Sequence, residues 1–106
     1  MLFRSIGATL KALARAKLSI NQIDIVELNE AFASQSLACI KDLKIDPSKV
    51  NLDGGALALG HPLGATGARI TGKVAQLLKR GNKKYALASQ CIGLGMGIAT
   101  IIESVD

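Results

Sequence analysis

A glycine-dense run interrupts the middle of this chain and contains its single histidine. Residues 51–69 read NLDGGALALGHPLGATGAR, with five glycines and one proline. Glycine lets the backbone adopt positive φ and approach a ligand closely, and Pro62 fixes φ directly after His61. Because an imidazole exchanges protons near neutral pH, the run predicts a loop that holds His61 in one pose beside a ligand.

Helical and strand patterns alternate on both sides of this loop. Apolar periodicity predicts helices over residues 6–16, 31–43 and 63–80, the first of them capped by Ser5. Alternating or β-branched segments predict strands over 23–28, 50–51, 85–90 and 98–104, with a tight turn over 91–97. This order predicts an α/β fold, a mixed-sheet layer with helices. With neither an internal repeat nor a linker, residues 1–106 are predicted to form a single domain.

The predicted second helix carries no charge between Ala31 and Ile40. A helix without a charged face is usually buried on all sides, but a chain of 106 residues has little room to bury one. We therefore expect another layer, from outside this chain or from a partner, to cover this helix. With only 3% aromatic residues the core must be aliphatic, which suits a fragment of a larger core or half of an assembly.

Charge and cysteine usage exclude several classes of protein. The net charge is +5, but the basic residues are spread out and no basic run contains interleaved aromatics, so we expect no nucleic-acid partner. Cys39 and Cys91 lack metal-ligand spacing, so we expect no metal site.

No apolar run is long enough to span a membrane. Free thiols without a signal peptide predict a cytoplasmic location. The acid-free segment 1–17 fits a mitochondrial transit peptide, although we favour a surface helix.

Three polar side chains fall at strand ends or in loops, where α/β sheets bind ligands. They are Asn29, His61 and Cys91. Each has a structural alternative: Asn29 as a helix N-cap, His61 as a loop residue bound to backbone, and Cys91 as a small buried apolar residue. Cys39, inside the uncharged helix, is assigned to packing. The three together predict a functional site.

The residues around these positions resemble the C-terminal part of the thiolase family, which includes acetyl-CoA acetyltransferases and 3-ketoacyl-CoA thiolases. Three blocks match in order: NEAFA at 29–33, the run 51–69 with GHP at its centre, and CIG at 91–93 followed by GMG at 95–97. The resemblance runs from about Ile6 to the end of the chain, whereas Met1–Ser5 fits the family poorly. It implies part of the C-terminal half of an α-β-α-β-α fold.

The resemblance implies an acyl transfer between coenzyme A thioesters through an acyl-cysteine. His61 matches the histidine that activates the nucleophilic cysteine and helps to hold the thioester oxygen. Asn29 matches the asparagine that positions a water in the same oxyanion hole. Cys91 matches the acid/base cysteine, and the N–H of Gly93 matches a donor to the second oxyanion hole. Fixed donors in a dry site suit a developing oxyanion, and an imidazole can tune a nearby thiol.

Substrate contacts are implied as well. Ala31 and Phe32 match residues that line the pantetheine tunnel. Coenzyme A thioesters are then substrates, and no separate cofactor is expected.

Two departures from the family pattern limit what this chain can do. The nucleophilic cysteine of thiolases comes from the N-terminal half, and Cys39 does not match it. Leu94 stands where the family has the middle glycine of a Cys-x-Gly-Gly-Gly turn, which would cost roughly 1–2 kcal/mol if its φ is positive. We expect the chain to be inactive alone, and to form a homo-oligomer or bind a partner chain that carries the N-terminal half.

Two other functions remain open from the sequence. Cys91, His61 and Asn29 are the residue types of a cysteine hydrolase, so Cys91 could act as the nucleophile on a thioester. The chain could also be a non-catalytic remnant that self-associates through the uncharged helix.

Overall fold

Three strands form one mixed sheet, and helices pack on both of its faces. The structure is a computed structural model and describes residues 4–105. In it β1 (Ile25–Leu28) runs parallel to β2 (Tyr85–Ile92), and β2 runs antiparallel to β3 (Met96–Glu103). The carboxyl ends of the parallel pair meet where Leu28 lies opposite Ser89. The predicted α/β class with a mixed sheet is confirmed.

The helices follow the predicted order with shifted ends. Within residues 4–105 they are α1 (Arg4–Ala16), α2 (Ala33–Leu43), α3 (Ala56–Leu59) and α4 (Thr66–Gly81), with 3-10 turns at Ile20–Gln22 and Pro47–Lys49. The prediction missed α3, because four residues between glycines show no helical periodicity. None of these described helices is both long enough and apolar enough to cross a membrane.

Several local predictions were wrong at the ends of elements. Ser5 does not cap α1 but lies inside it, fully buried. The strand predicted over 23–28 begins at Ile25, because the N–H of Ile23 closes the preceding 3-10 turn. Val50 makes only an isolated bridge, to Val26. Cys91 belongs to β2 rather than to the turn, because the antiparallel pairing continues as far as Ile92.

The core is aliphatic and lies on both faces of the sheet. Successive strand residues point to opposite faces, so Val26 and Leu28 pack with α1 and α2, whereas Ile25 packs with α4. The first cluster is Leu13, Ile23, Val26, Leu28, Cys39, Leu43, Ile45 and Leu87. The second is Ile25, Ile70, Val74, Leu77, Leu78, Ala86 and Ala88. Cys39 is therefore a packing residue, as expected.

The uncharged helix α2 is buried on one face and open on the other. Gln35, Ser36, Cys39 and Leu43 are buried, whereas Phe32, at its N-cap, and Leu37 are about two-thirds exposed at 63% and 67%. The chain by itself therefore does not bury α2 on all sides, and a covering layer stays a prediction.

Candidate functional site

The fold brings the predicted site residues to one edge of the sheet. Asn29 directly follows β1, and its backbone N–H donates to Ser89 of β2 at 2.9 Å. Cys91 is the penultimate residue of β2, and Gly93 follows it in the hairpin turn. His61 lies in the loop between α3 and α4. Since β1 and β2 are parallel, their carboxyl ends converge, which is the reason these distant residues meet.

A cavity of about 330 Å³ opens at this edge. Four predicted site residues line it, namely His61, Cys91, Gly93 and Phe32. Asn29 lies behind His61 and contacts its ring. Ala31 is half-buried and lies outside the lining of the cavity.

The glycine-rich run 51–69, which carries His61, is tied to α4 near its start. Asp53, near its start, accepts hydrogen bonds from both terminal nitrogens of Arg80 on α4, at 2.7 and 2.9 Å. These bonds hold the pKa of Asp53 below its usual value. Gly60 has φ +93°, which favours glycine, and Pro62 follows His61 directly. The predicted glycine loop is thus an ordered element that presents one imidazole.

The His61 ring contacts two side chains rather than backbone. Its Nδ1 lies 2.6 Å from Oγ1 of Thr66, the fully buried first residue of α4. The Nδ2 amide of Asn29 lies 3.5 Å from both ring nitrogens. The alternative of Asn29 as an N-cap was therefore wrong, because Phe32 holds the N-cap position of α2.

A buried carboxyl lies next to this site on the same strand. Glu27 is 1% exposed, and its Oε1 is 3.9 Å from Nη1 of Arg69 on α4. Burial raises the pKa of Glu27 to about 7, although the positive charges of Arg69 and Lys73 oppose the shift. Asn29 is two residues further along and so shares its side of the chain. This group titrates near neutral pH, and an isolated glutamate in a strand gave no sequence signal for it.

The two thiols have different surroundings. Cys39 is fully buried, and burial raises the pKa of its thiol. Cys91 is half-buried and lines the cavity. The described part of the chain contains no group of three His, Cys, Asp or Glu residues that could hold a metal ion.

The turn after Cys91 has the conformation in which a leucine is strained. Leu94 has φ +65° and Gly95 has φ +75°. The side chain of Leu94 is 98% exposed, so no packing offsets the backbone cost of roughly 1–2 kcal/mol.

Sequence reasoning missed two polar residues of the site. Gln35 is 1% exposed and lines the cavity, and its Oε1 has no hydrogen-bond partner among the described residues. Its signal was weak: a polar residue in an uncharged helix, three positions after Phe32 and so on the same face. Thr66 gave no signal, because only the fold turns its hydroxyl toward His61.

The chain is similar to known proteins along most of its length. The family model of the thiolase C-terminal domain matches residues 1–104, so the similarity begins earlier than Ile6. A 3-ketoacyl-CoA thiolase of Alcanivorax borkumensis is 60% identical over 103 residues, covering 94% of this chain and 26% of that protein. One of Vibrio vulnificus (strain YJ016) is 57% identical over 101 residues, covering 92% and 26%.

Solved structures give the same result. Human mitochondrial 3-ketoacyl-CoA thiolase matches with a TM-score of 0.95 and 50% identity, over 97% of this chain and 26% of that one. Its complex with CoA matches with a TM-score of 0.92. The chain thus spans about a quarter of the length of these relatives. With the family model matching nearly all of its residues, the chain belongs to the thiolase family, whose C-terminal domain it resembles in both sequence and fold.

Proposed function

We propose that this chain supplies the C-terminal part of a thiolase active site, which transfers acyl groups between coenzyme A thioesters. The reaction is cleavage of a 3-ketoacyl-CoA by CoA, or the reverse condensation. The observation that carries the proposal is the shared cavity of His61, Cys91 and Gly93, with Asn29 against the histidine ring. Coenzyme A thioesters are the substrates, and no separate cofactor takes part.

In this proposal His61 is the base for a cysteine that the N-terminal part of a thiolase provides. The imidazole takes the thiol proton, and the thiolate attacks the ketone-side carbonyl of the substrate. The imidazolium, with a water held by Asn29, then stabilises negative charge on a thioester oxygen. The contact between Asn29 and the ring supports this division of roles.

Cys91 is proposed to move the proton at the reacting carbon. In the cleavage direction its thiol protonates the acetyl-CoA carbanion that leaves, and its thiolate then deprotonates the incoming CoA. The N–H of Gly93 donates to the oxygen of the second oxyanion. Phe32 and Met96 form apolar walls of the same cavity. Covered by the N-terminal part of a thiolase, these walls would exclude water and so strengthen the interactions. Ala31 and Phe32 are proposed to contact the pantetheine arm.

The described surface leaves room for the missing part of a thiolase. Large apolar side chains are exposed at the N-cap and on the open face of α2, on α3, in the loop after α3 and in the hairpin turn: Phe32, Leu37, Leu57, Leu59, Leu63 and Leu94. Exposed apolar side chains of this size are typical of surfaces that another protein segment covers. We propose that the N-terminal part of a thiolase covers it, on a longer chain, on a partner chain or in a homo-oligomer. The free thiols support a reducing compartment, the cytoplasm or the mitochondrion.

A chimeric enzyme tests the function directly. The matching quarter of the human mitochondrial 3-ketoacyl-CoA thiolase is replaced by this chain, and CoA-dependent cleavage of acetoacetyl-CoA is followed by absorbance. We expect the chimera to turn over and the isolated chain not to. His61→Ala and Cys91→Ser should each lower kcat by about 100-fold or more, whereas Cys39→Ala, a matched change outside the cavity, should not.

Three outcomes would contradict the proposal. A folded, soluble chimera without thiolysis would show that this chain cannot complete a thiolase site. A chimera whose rate is unchanged by Cys91→Ser would remove the assigned acid/base. Thiolysis by the isolated chain would contradict its dependence on a partner.

A Cys–His–Asn thioester hydrolase is the second candidate, because Cys91 and His61 line one cavity. In such a triad the asparagine orients the imidazole. Here Nδ1 is closest to Thr66 rather than to Asn29, and Asn29 Oδ1 has no partner among the described residues. We therefore favour the thiolase role. Intact mass after incubation with acetyl-CoA discriminates, since an acetyl adduct on Cys91 supports the hydrolase.

The third candidate is a non-catalytic remnant that self-associates through the open face of α2. Its exposed Leu37 and Phe32 are the supporting observation. Light scattering that shows a stable oligomer, together with no binding of CoA, would favour this role over the thiolase role.

A further inference from the structure

We propose that Thr66 is a positioning residue that holds neutral His61 in the tautomer with its proton on Nδ1. Nε2 then carries the lone pair. The tautomer itself follows from the contacts around Thr66, whereas its use as a base rests on the proposed function.

The hydroxyl of Thr66 has one proton and two neighbours. Oγ1 lies 3.0 Å from the carbonyl oxygen of Pro62 and 2.6 Å from Nδ1 of His61. A carbonyl oxygen can only accept a hydrogen bond, and a threonine in the first turn of a helix donates readily to the carbonyl four residues before it. The same carbonyl also accepts the backbone N–H groups of Ala65 and Thr66, at 2.8 and 2.9 Å. We place the hydroxyl proton on this carbonyl as well, as in the bonds that threonine side chains make to helix carbonyls.

The opposite arrangement is unfavourable. If the hydroxyl donated to Nδ1, two oxygen atoms would face each other at 3.0 Å without a proton between them. Thr66 is fully buried, so water cannot relieve that repulsion. Consequently Oγ1 of Thr66 is the acceptor in its contact with His61. Nδ1 must carry a proton and donate it to Oγ1.

Asn29 is compatible with this assignment but does not decide it. Its Nδ2 is equally far, 3.5 Å, from Nδ1 and from Nε2. With Nδ1 occupied by Thr66, the amide proton of Asn29 has the lone pair of Nε2 as its acceptor. The partner of one ring nitrogen sets the protonation of the other, so Thr66 determines which nitrogen is the base.

In the proposed reaction, the Nδ1–H tautomer of His61 lets the ring act as a base without first changing tautomer or flipping. Nε2 takes the proton of the nucleophilic thiol. The proton on Nδ1 stays hydrogen-bonded to Oγ1 of Thr66 in both the neutral and the charged state of the ring. Without the hydroxyl, neutral His61 would populate both tautomers, and the fraction with a protonated Nε2 could not act as a base.

Nitrogen NMR tests the tautomer in the chain as it is. The chain has one histidine, so a ¹⁵N-labelled sample gives one pair of ring nitrogens, and their shifts show which one is protonated when the ring is neutral. We expect protonated Nδ1 and unprotonated Nε2 as the major form. Thr66→Val should shift the population toward protonated Nε2, Thr66→Ser should restore it, and Thr71→Val, on the same helix, should leave it unchanged.

The result that would overturn the proposal is protonated Nε2 as the major form of the unmodified chain, and this holds even if Thr66→Val fails to fold. A folded Thr66→Val chain with an unchanged tautomer would also overturn it. In the chimera, Thr66→Val should lower kcat about tenfold or more with KM within about twofold, and Thr66→Ser should recover kcat. An inactive chimera refutes the proposed function without changing the NMR result, so the two failures are distinguishable.

Discussion

The side-chain amide of Asn51 binds both backbone groups of Leu28. Its Oδ1 accepts from the N–H of Leu28 at 2.9 Å, and its Nδ2 donates to the carbonyl of Leu28 at 2.9 Å. The backbone N–H of Asn51 donates to the carbonyl of Val26 at 2.9 Å, and its φ is +49°. Its side chain then continues the pairing that begins at the bridge between Val26 and Val50. This contact secures the end of β1 directly before Asn29.

Asn51→Ala should destabilise the chain by about 2–4 kcal/mol, because it leaves two buried backbone groups of Leu28 unpaired. Urea unfolding measures the loss. Asn51→Gly relieves the positive φ but also removes the amide, so it should still be destabilised. Wild-type stability of the glycine variant would assign the effect to backbone strain instead. Asn21→Ala, at an exposed position, should change stability by less than about 0.5 kcal/mol.

Leu94→Gly should stabilise the chain by about 1 kcal/mol, because glycine adopts φ +65° without the steric cost that leucine has there. The exposed side chain contributes little packing that could be lost. Thermal unfolding measures the gain. Leu63→Gly is the matched control, since Leu63 is also exposed but lies outside the positive-φ residues, and it should not stabilise. A lower melting temperature of Leu94→Gly would contradict the assignment of backbone strain to Leu94.

Gly97→Ala should destabilise the chain by roughly 1–3 kcal/mol through overpacking. A Cβ at this position would lie 2.6 Å from the carbonyl oxygen of Arg4 and 2.8 Å from the nitrogen of Ser5. Both atoms are backbone, so α1 itself would have to shift on β3. Gly72→Ala, inside α4 with nothing within 4 Å of its added Cβ, should be neutral or stabilising. If Gly97→Ala and Gly72→Ala change the free energy of unfolding equally in urea, the backbone of Arg4 and Ser5 does not lie as close to Gly97 as described.

The free energy of unfolding should fall as pH rises from about 4.5 to about 7, and level off above that. Burial raises the pKa of Glu27 from 4.5 to about 7, so within this window the folded state binds a proton that the unfolded state has released. The contribution lost is roughly 3 kcal/mol. Protonated Glu27 avoids the cost of a buried charge, which explains the sign.

Urea unfolding at pH 5 and pH 8 measures this dependence. Glu27→Gln, which cannot ionise, should flatten the difference between the two pH values. Glu103→Gln, at an exposed position, retains Glu27 and should keep the wild-type difference. If Glu27→Gln shows the wild-type difference in stability between pH 5 and pH 8, another titrating group causes the pH dependence.

Local patterns in the sequence predicted α1, α2 and α4 and the three strands of the sheet in their order, and placed Asn29, His61 and Cys91 at strand ends or in loops. The 3.6-residue periodicity of α1 and α4, and the β-branched run of β1, are properties of neighbouring residues, so they can be read without the fold. The position of Asn29 and Cys91 near strand ends likewise follows from local patterns. Element ends were less accurate, as at Cys91, because strand pairing with β3 decides where β2 stops.

Only the tertiary structure decided how the side chains of the site are connected. The buried carboxyl of Glu27 faces Arg69 of a distant helix, Asn51 binds Leu28, and Thr66 meets the ring of His61. The sequence alone determined that His61 lies in a glycine-rich loop, but the tautomer of its ring depends on the direction of one buried hydroxyl. Burial and hydrogen-bond direction arise from elements brought together in space, and no local pattern records them.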